Sequence, residues 1–150
     1  MADAKERALA LLKNRDKTEY EIRAALKKAG FPDGDVDETI EYLKGLDYIN
    51  DESYVTKFIE MSVEKKRGPL RIHRDLAAKG IDAGMIDDLI HEVLDDQWEW
   101  DIADCIVTDI KKSNPSLSRE KLLTKIVNKL NYEGFSSEVI NEIAEELYSD

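Results

Sequence analysis

The sequence predicts an all-α protein: three tandem three-helix repeats forming an elongated, curved helical array. Three observations carry that prediction. Apolar residues recur at helical spacing along nearly the whole chain, with no sustained apolar/polar alternation of the kind a half-buried strand needs. Helix-start and helix-stop residues punctuate the pattern, and the prolines, Pro32, Pro69 and Pro115, all fall between apolar segments, where a residue that breaks helices belongs. The pattern also repeats. A shift of 50 residues carries Ile22, Leu26, Gly30, Phe31, Gly34, Val36, Ile40 and Leu43 onto Ile72, Leu76, Gly80, Ile81, Gly84, Ile86, Ile90 and Val93. A further shift of 54 gives Ile126, Leu130, Gly134, Phe135, Glu138, Ile140, Ala144 and Leu147.

Each element has a local cause. Ala8, Leu9, Leu11 and Leu12 make a short amphipathic helix over 4–13. Thr18-x-x-Glu21 has the form of a capping box and opens a second helix carrying Ile22, Leu26 and Ala29, which Gly30 ends. Asp35-x-x-Glu38 reads as a second capping box, starting a helix with Val36, Ile40, Leu43 and Leu46 on its apolar side. Asn50-Asp51 starts the next helix, and Pro69 is placed as a first helical residue after Gly68. The first helices of the repeats align as Ala8-Leu9, Phe58-Ile59 and Ile106-Val107, an offset of only 48 at the second step. The third repeat therefore holds a six-residue insertion, and KKSNPSLS (111–118) reads as a loop with Ser118 as N-cap. The repeats are drawn at 1–49, 50–97 and 98–150. Units of this size bury only part of their apolar surface internally and pack the remainder on their neighbours.

Composition narrows the function. A chain of 150 residues with 42% hydrophobic and 37% charged residues can bury a core under a polar surface. No apolar run approaches the roughly 18 residues of a membrane span, so no membrane partner is expected and the reading is a cytoplasmic monomer. The lone Cys105 can form no internal disulfide, and beside Ile102 and Ile106 it reads as a buried structural thiol. The net charge of −11 argues against a surface that grips nucleic acid throughout. The charge is polarised. Met61–Gly80 holds six Lys/Arg against Glu64 and Asp75, whereas Ile81–Asp104 holds nine Asp/Glu and no Lys or Arg.

The basic set Lys65, Lys66, Arg67, Arg71 and Arg74 is the leading candidate surface. Arg71 and Arg74 are three apart on one helix, and the others end the helix before it. The bland account has these cations favouring a helix C-terminus and pairing with the acidic segment that follows. Arg15 and Lys17 form a smaller basic step before Thr18, where pairing with Glu19 or Glu21 is the simpler reading. Tyr48, Tyr54 and Phe58 read as core aromatics, and one of Trp98 and Trp100 as the seal between the second and third repeats. His73 and His91 are isolated, no glycine-rich phosphate loop follows a strand, and the acids lack EF-hand spacing. No catalytic residue, metal or cofactor is expected.

Several stretches carry a family resemblance. Arg15-x-Lys17-Thr18-x-x-Glu21-Ile22 is similar to the R-x-R-S-x-x-E-L start of the RecX family. Tyr48-Ile49-Asn50-Asp51-x-x-Tyr54-Val55-x-x-Phe58 resembles its GYLDD-x-x-FA-x-x-F stretch, with Asp47 where the family tends to have Gly and Asn50 in place of an Asp. Arg67-Gly68-Pro69-x-Arg71-Ile72-x-x-Asp75-Leu76-x-x-Lys79-Gly80-Ile81 closely resembles the family's G-P-x-R-I-x-x-E-L-x-x-K-G-I signature. Trp100-x-x-Ala103 and Asn131-Tyr132-x-Gly134-Phe135 look like its weaker third part. The resemblance implies a non-enzymatic negative regulator of the RecA recombinase. It would lie in the groove of the RecA–DNA filament and inhibit ATP hydrolysis, strand exchange and SOS co-protease activity. Its partner would be the nucleoprotein filament, with only weak or indirect DNA contact, and the motif singles out Arg67 and Arg71 within the basic set. Replacing both by Glu is expected to remove inhibition and leave the fold unchanged. The rival reading is a helical nucleic-acid-binding protein acting on DNA directly.

Overall fold

The computed structural model describes residues 3–149. Among these the chain is all helical: α1 (Ala4–Leu12), α2 (Glu19–Lys28), α3 (Asp33–Gly45), α4 (Asp51–Glu64), α5 (Pro69–Ala77), α6 (Ala83–Val93), α7 (Trp98–Ser113), α8 (Arg119–Glu133) and α9 (Ser137–Ser149). No described helix is long and apolar enough to cross a membrane.

The helices begin where polar side chains can take up free amides. Asp3 accepts from the Glu6 amide, Asn50 from Ser53 and Ser118 from Lys121. Thr18 and Glu21 form the full reciprocal box. The box expected at Asp35 does not form. α3 starts three residues earlier, with Pro32 as N-cap and no side-chain cap hydrogen bond, which leaves Asp33 and Asp35 in the first turn, where negative charge suits the helix dipole.

The six-residue insertion is mostly helix rather than loop. The shift that takes Gly80 to Gly134 takes Pro69 to Leu123, yet α8 starts four residues sooner, at Arg119. α7 runs on to Ser113, so the expected loop from Lys111 shrinks to 114–118.

Two compact units emerge, and the division falls within α4, α5 and α6. One contains the chain as far as Lys57 together with Leu76–Leu89. Its core gathers Ala4, Ala8, Ile22, Leu26, Val36, Ile40, Leu43 and Ile49, with Leu11, Leu12 and Phe31 packed against it. The other unit contains Phe58–Asp75 and the chain from Ile90 onward. Its core gathers Ile102, Ala103, Ile106, Ile126, Leu130, Phe135, Val139, Ile140 and Ile143. Trp98 and Trp100 are both half-buried against that core.

Three residues expected inside are outside. Cys105 is exposed because the buried stripe of α7 runs through Ile102, Ala103 and Ile106, which leaves the thiol about 60° beyond its Ile102 edge. Leu46 is 50% exposed, standing beyond the last helical residue of α3. Tyr48 is 56% exposed in the connection to α4.

Candidate functional site

The basic set sits around the turn between α4 and α5. That turn closes through Lys66, which is left-handed at φ 61°, and through the Arg67 amide, which bonds back to the Ser62 carbonyl at 2.9 Å. Gly68 and Pro69 then restart the chain as α5, with Ile72 and Leu76 buried. The five cations do not form one uniform ridge. Lys65 and Arg74 are exposed, the Arg74 side chain by 70%, with its Nε 3.7 Å from Asp75. Lys66 reaches Asp109 of α7 at 2.7 Å, and the paired charges lift the ammonium pKa and lower that of the carboxyl. Arg67 is half-buried, its guanidinium 3.7 Å from the Met61 sulfur.

Arg71 differs from the rest. Its guanidinium donates to Glu133 of α8 at 2.6 Å, lies 3.9 Å from Asp75 and stands 5.5 Å from the centre of the Tyr132 ring. The two partners keep only 19% and 8% of their side-chain surface in solvent. The expectation that Arg67→Glu with Arg71→Glu would leave the fold intact is therefore corrected, since that change sets two carboxylates against each other in a mostly buried place.

Arg71 belongs to a backbone crossing. The amides of Gly68 and Leu70 donate to the carbonyls of Glu133 and Gly134, both at 2.8 Å, so the open start of α5 and the open end of α8 satisfy each other. A Cβ on Gly68 would lie 2.6 Å from the Gly134 backbone, and one on Gly134 would lie 2.4 Å from the Arg71 nitrogen. The first unit has a matching crossing. There the Thr18 hydroxyl donates to the Lys79 carbonyl at 2.7 Å, Tyr20 packs over Gly80, and Glu21 meets Lys79 at 3.7 Å. A shift of 50 relates Glu21 to Arg71 and a shift of 54 relates Lys79 to Glu133, so the two crossings carry the same pair with its signs exchanged.

Arg15 is exposed and Lys17 half-buried; with Arg7 and Asn14 they line a cleft of about 270 Å³. Neither cation pairs with the acids proposed from sequence. Glu19 is held by Lys44 and Arg23, which lower its pKa, and Glu21 by Lys79. Sequence reasoning missed this use of Lys44 and Lys79, because both partners are distant in the chain. Among the described residues no group of three or more His, Cys, Asp or Glu side chains is placed to hold a metal ion.

Two family models match the chain: the first three-helix domain of RecX over residues 4–43 and the second over 50–90. A regulatory protein RecX of Clostridium acetobutylicum is 30% identical over 98% of this chain and 70% of its own length. The chain belongs to the RecX family. A RecX of Geobacillus kaustophilus is also 30% identical, over 91% of this chain, but this chain spans only 51% of that relative's length. A RecX of Legionella pneumophila is 28% identical over 99% of this chain and 97% of its own. The RecX fold is shared with the crystal structure of RecX from Lactobacillus salivarius, with a TM-score of 0.82 at 24% identity over 98% of this chain and 96% of that one. The family is named for regulatory proteins, and that is the role the RecX relatives carry.

Proposed function

We propose that this protein is a non-enzymatic negative regulator of the RecA recombinase. It acts in the cytoplasm as a monomer, lies in the groove of the RecA–DNA filament, and inhibits ATP hydrolysis, strand exchange and SOS co-protease activity. Membership of a family of regulatory proteins is the observation that carries this reading. Three repeats at 1–49, 50–97 and 98–150 would span neighbouring filament subunits and restrict the motions that ATP hydrolysis needs. The contact surface is the basic set Lys65, Lys66, Arg67, Arg71 and Arg74, with Arg15 and Lys17 as a secondary contact. Within it Lys65 and Arg74 are the cations best exposed to meet an acidic protein surface or filament phosphates. With a chain charge of −11, a protein-coated filament is a better partner than bare DNA.

Lys65→Glu with Arg74→Glu tests the surface, since neither side chain is buried. The variant should lose inhibition of DNA-dependent RecA ATP hydrolysis while keeping its helicity and melting temperature. Full inhibition by that folded variant would sink the site. Titration against single- and double-stranded DNA at two salt concentrations tests the rival. Tight binding without RecA, with a steep salt slope, would make the protein a DNA binder in its own right.

A further inference from the structure

Twice in this chain the end of one helix receives the first turn of another. At Gly80 (φ 80°) the incoming turn brings Thr18, whose hydroxyl takes the Lys79 carbonyl, and Tyr20, whose Cβ lies 2.2 Å from where a Cβ on the glycine would stand. At Gly134 (φ 88°) it brings the amides of Gly68 and Leu70 to the carbonyls of Glu133 and Gly134. In both places the last carbonyls of one helix take the first donors of another, a side-chain hydroxyl at Gly80 and backbone amides at Gly134. The missing glycine side chain leaves room for the Tyr20 side chain in one and for the partner backbone in the other.

The same left-handed turn occurs a third time, at Gly30 (φ 93°) after α2, and there no described residue lies within 4 Å of the Cβ position. Ala29 and Gly30 are exposed, and no described backbone amide outside the helices bonds to either carbonyl. The residue that follows shows the consequence. Ile81 and Phe135 are 6% and 1% exposed, whereas Phe31 is only half-buried. Beside Phe31 opens a cleft of about 260 Å³, lined by Asp3, Ala4, Lys5, Asp35, Glu38 and Thr39.

We propose that Ala29–Gly30–Phe31 is a docking socket for the N-terminal turn of an α-helix supplied by a RecA subunit. The identity of that partner rests on the reading given above. The occupant's chemistry follows from the two filled copies: a helix start whose cap hydroxyl, as at Thr18, or whose free amides, as at Gly68 and Leu70, meet the carbonyls of Ala29 and Gly30. Exposed Lys27 and Lys28 in the last turn of α2 favour an acid on the side of the incoming turn that faces α2, and Asp3, Asp35 and Glu38 favour a cation on the side that faces the cleft. Ala29 stands where Lys79 and Glu133 stand in the other copies, so no charge is demanded at that point. A second copy of this chain fits poorly. Its corresponding donors, at Leu122 and Thr124, lie inside α8 behind an extra turn that Ser118 caps.

Two measurements on the full chain test the socket. Ala29→Trp, at an exposed helix end, should weaken binding to the RecA–DNA filament at least tenfold with an unchanged melting temperature. A photo-crosslinking amino acid at position 29 should label RecA at the first turn of one of its helices. If wild-type protein binds the filament and the folded Ala29→Trp variant binds equally well, the socket is overturned and the RecA reading stands. Labelling of RecA away from any helix start overturns it as well. If wild-type protein does not bind the filament, the partner assignment and the socket's occupant fall together.

Discussion

Glu133 holds Arg71 at 2.6 Å across the crossing of α5 and α8, in a position where the carboxylate side chain keeps only 8% of its surface in solvent. The family signature places Arg71 in the run that looks most functional, and the fold uses it to lock two helix ends together.

Removing one partner leaves the other charged and poorly solvated, which for a mostly buried pair costs about 3 kcal/mol. Glu133→Gln keeps the shape and a weaker hydrogen bond, so a smaller loss of about 1–2 kcal/mol is expected. Urea unfolding of Arg71→Met, Glu133→Gln and the double variant checks this. The double variant should lose less than the two single losses added together, and strict additivity would mean the pair is not coupled.

Glycine substitutions should split by place. Gly80→Ala meets both a positive φ and the Tyr20 side chain, and a loss of more than about 2 kcal/mol is expected. Gly45, in the last turn of α3 with nothing within 4 Å of its Cβ position, should gain about 0.5–1 kcal/mol when replaced by Ala. Thermal melting of the two variants should move in opposite directions.

Asp47 adopts φ 61°, which explains why the family tends to have Gly at this place. Asp47→Gly removes the left-handed strain at the expense of one exposed hydrogen bond from the Asn50 amide. A net gain of about 0.5 kcal/mol in urea unfolding is expected, because the strain exceeds that bond and the entropy glycine adds to the unfolded chain.

Stability should depend on acid through Glu19. The hydrogen bond from Lys44 holds its pKa below the ordinary 4.5. The folded state therefore binds protons less readily than the unfolded chain, so this contribution is full above pH 4.5 and disappears as pH falls through the lower folded value. Lys44 shows the opposite sign: its raised pKa contributes below 10.5 and is lost as pH rises through the folded value. Lys44→Met should flatten both limbs slightly, since solvent screens the pair. Urea midpoints measured from pH 6 down to 3 and from 9 up to 11 check this.

The caps at Thr18 and Ser118, the helix start at Pro69 and the glycine stops at 30, 80 and 134 were legible because each depends on neighbours within a few residues. Periodicity also found the helix faces. It could not find the crossings, because a helix wheel shows which side a residue faces and not what arrives there. Arg71 and Arg74 sit near one another on α5 yet end up with 19% and 70% of their side chains exposed, and only the approach of α8 separates them. Cys105 and Leu46 failed at the edges of stripes, where one residue's rotation decides between core and solvent.

The paired crossings also impose a length rule on the coding sequence. Gly68 and Leu70, at the start of α5, give their amides to one glycine turn, and Gly80, twelve residues on from Gly68, receives Tyr20 at another. A one-residue deletion inside α5 would turn every later residue of the helix by about 100° and draw it back by about 1.5 Å, taking the buried Ile72 and Leu76 off one face. The stretch before Leu123 has no such double duty, and the third repeat carries its extra residues there. Homologous genes should therefore vary in length ahead of α8 and keep the Gly68-to-Gly80 interval at a fixed count of codons.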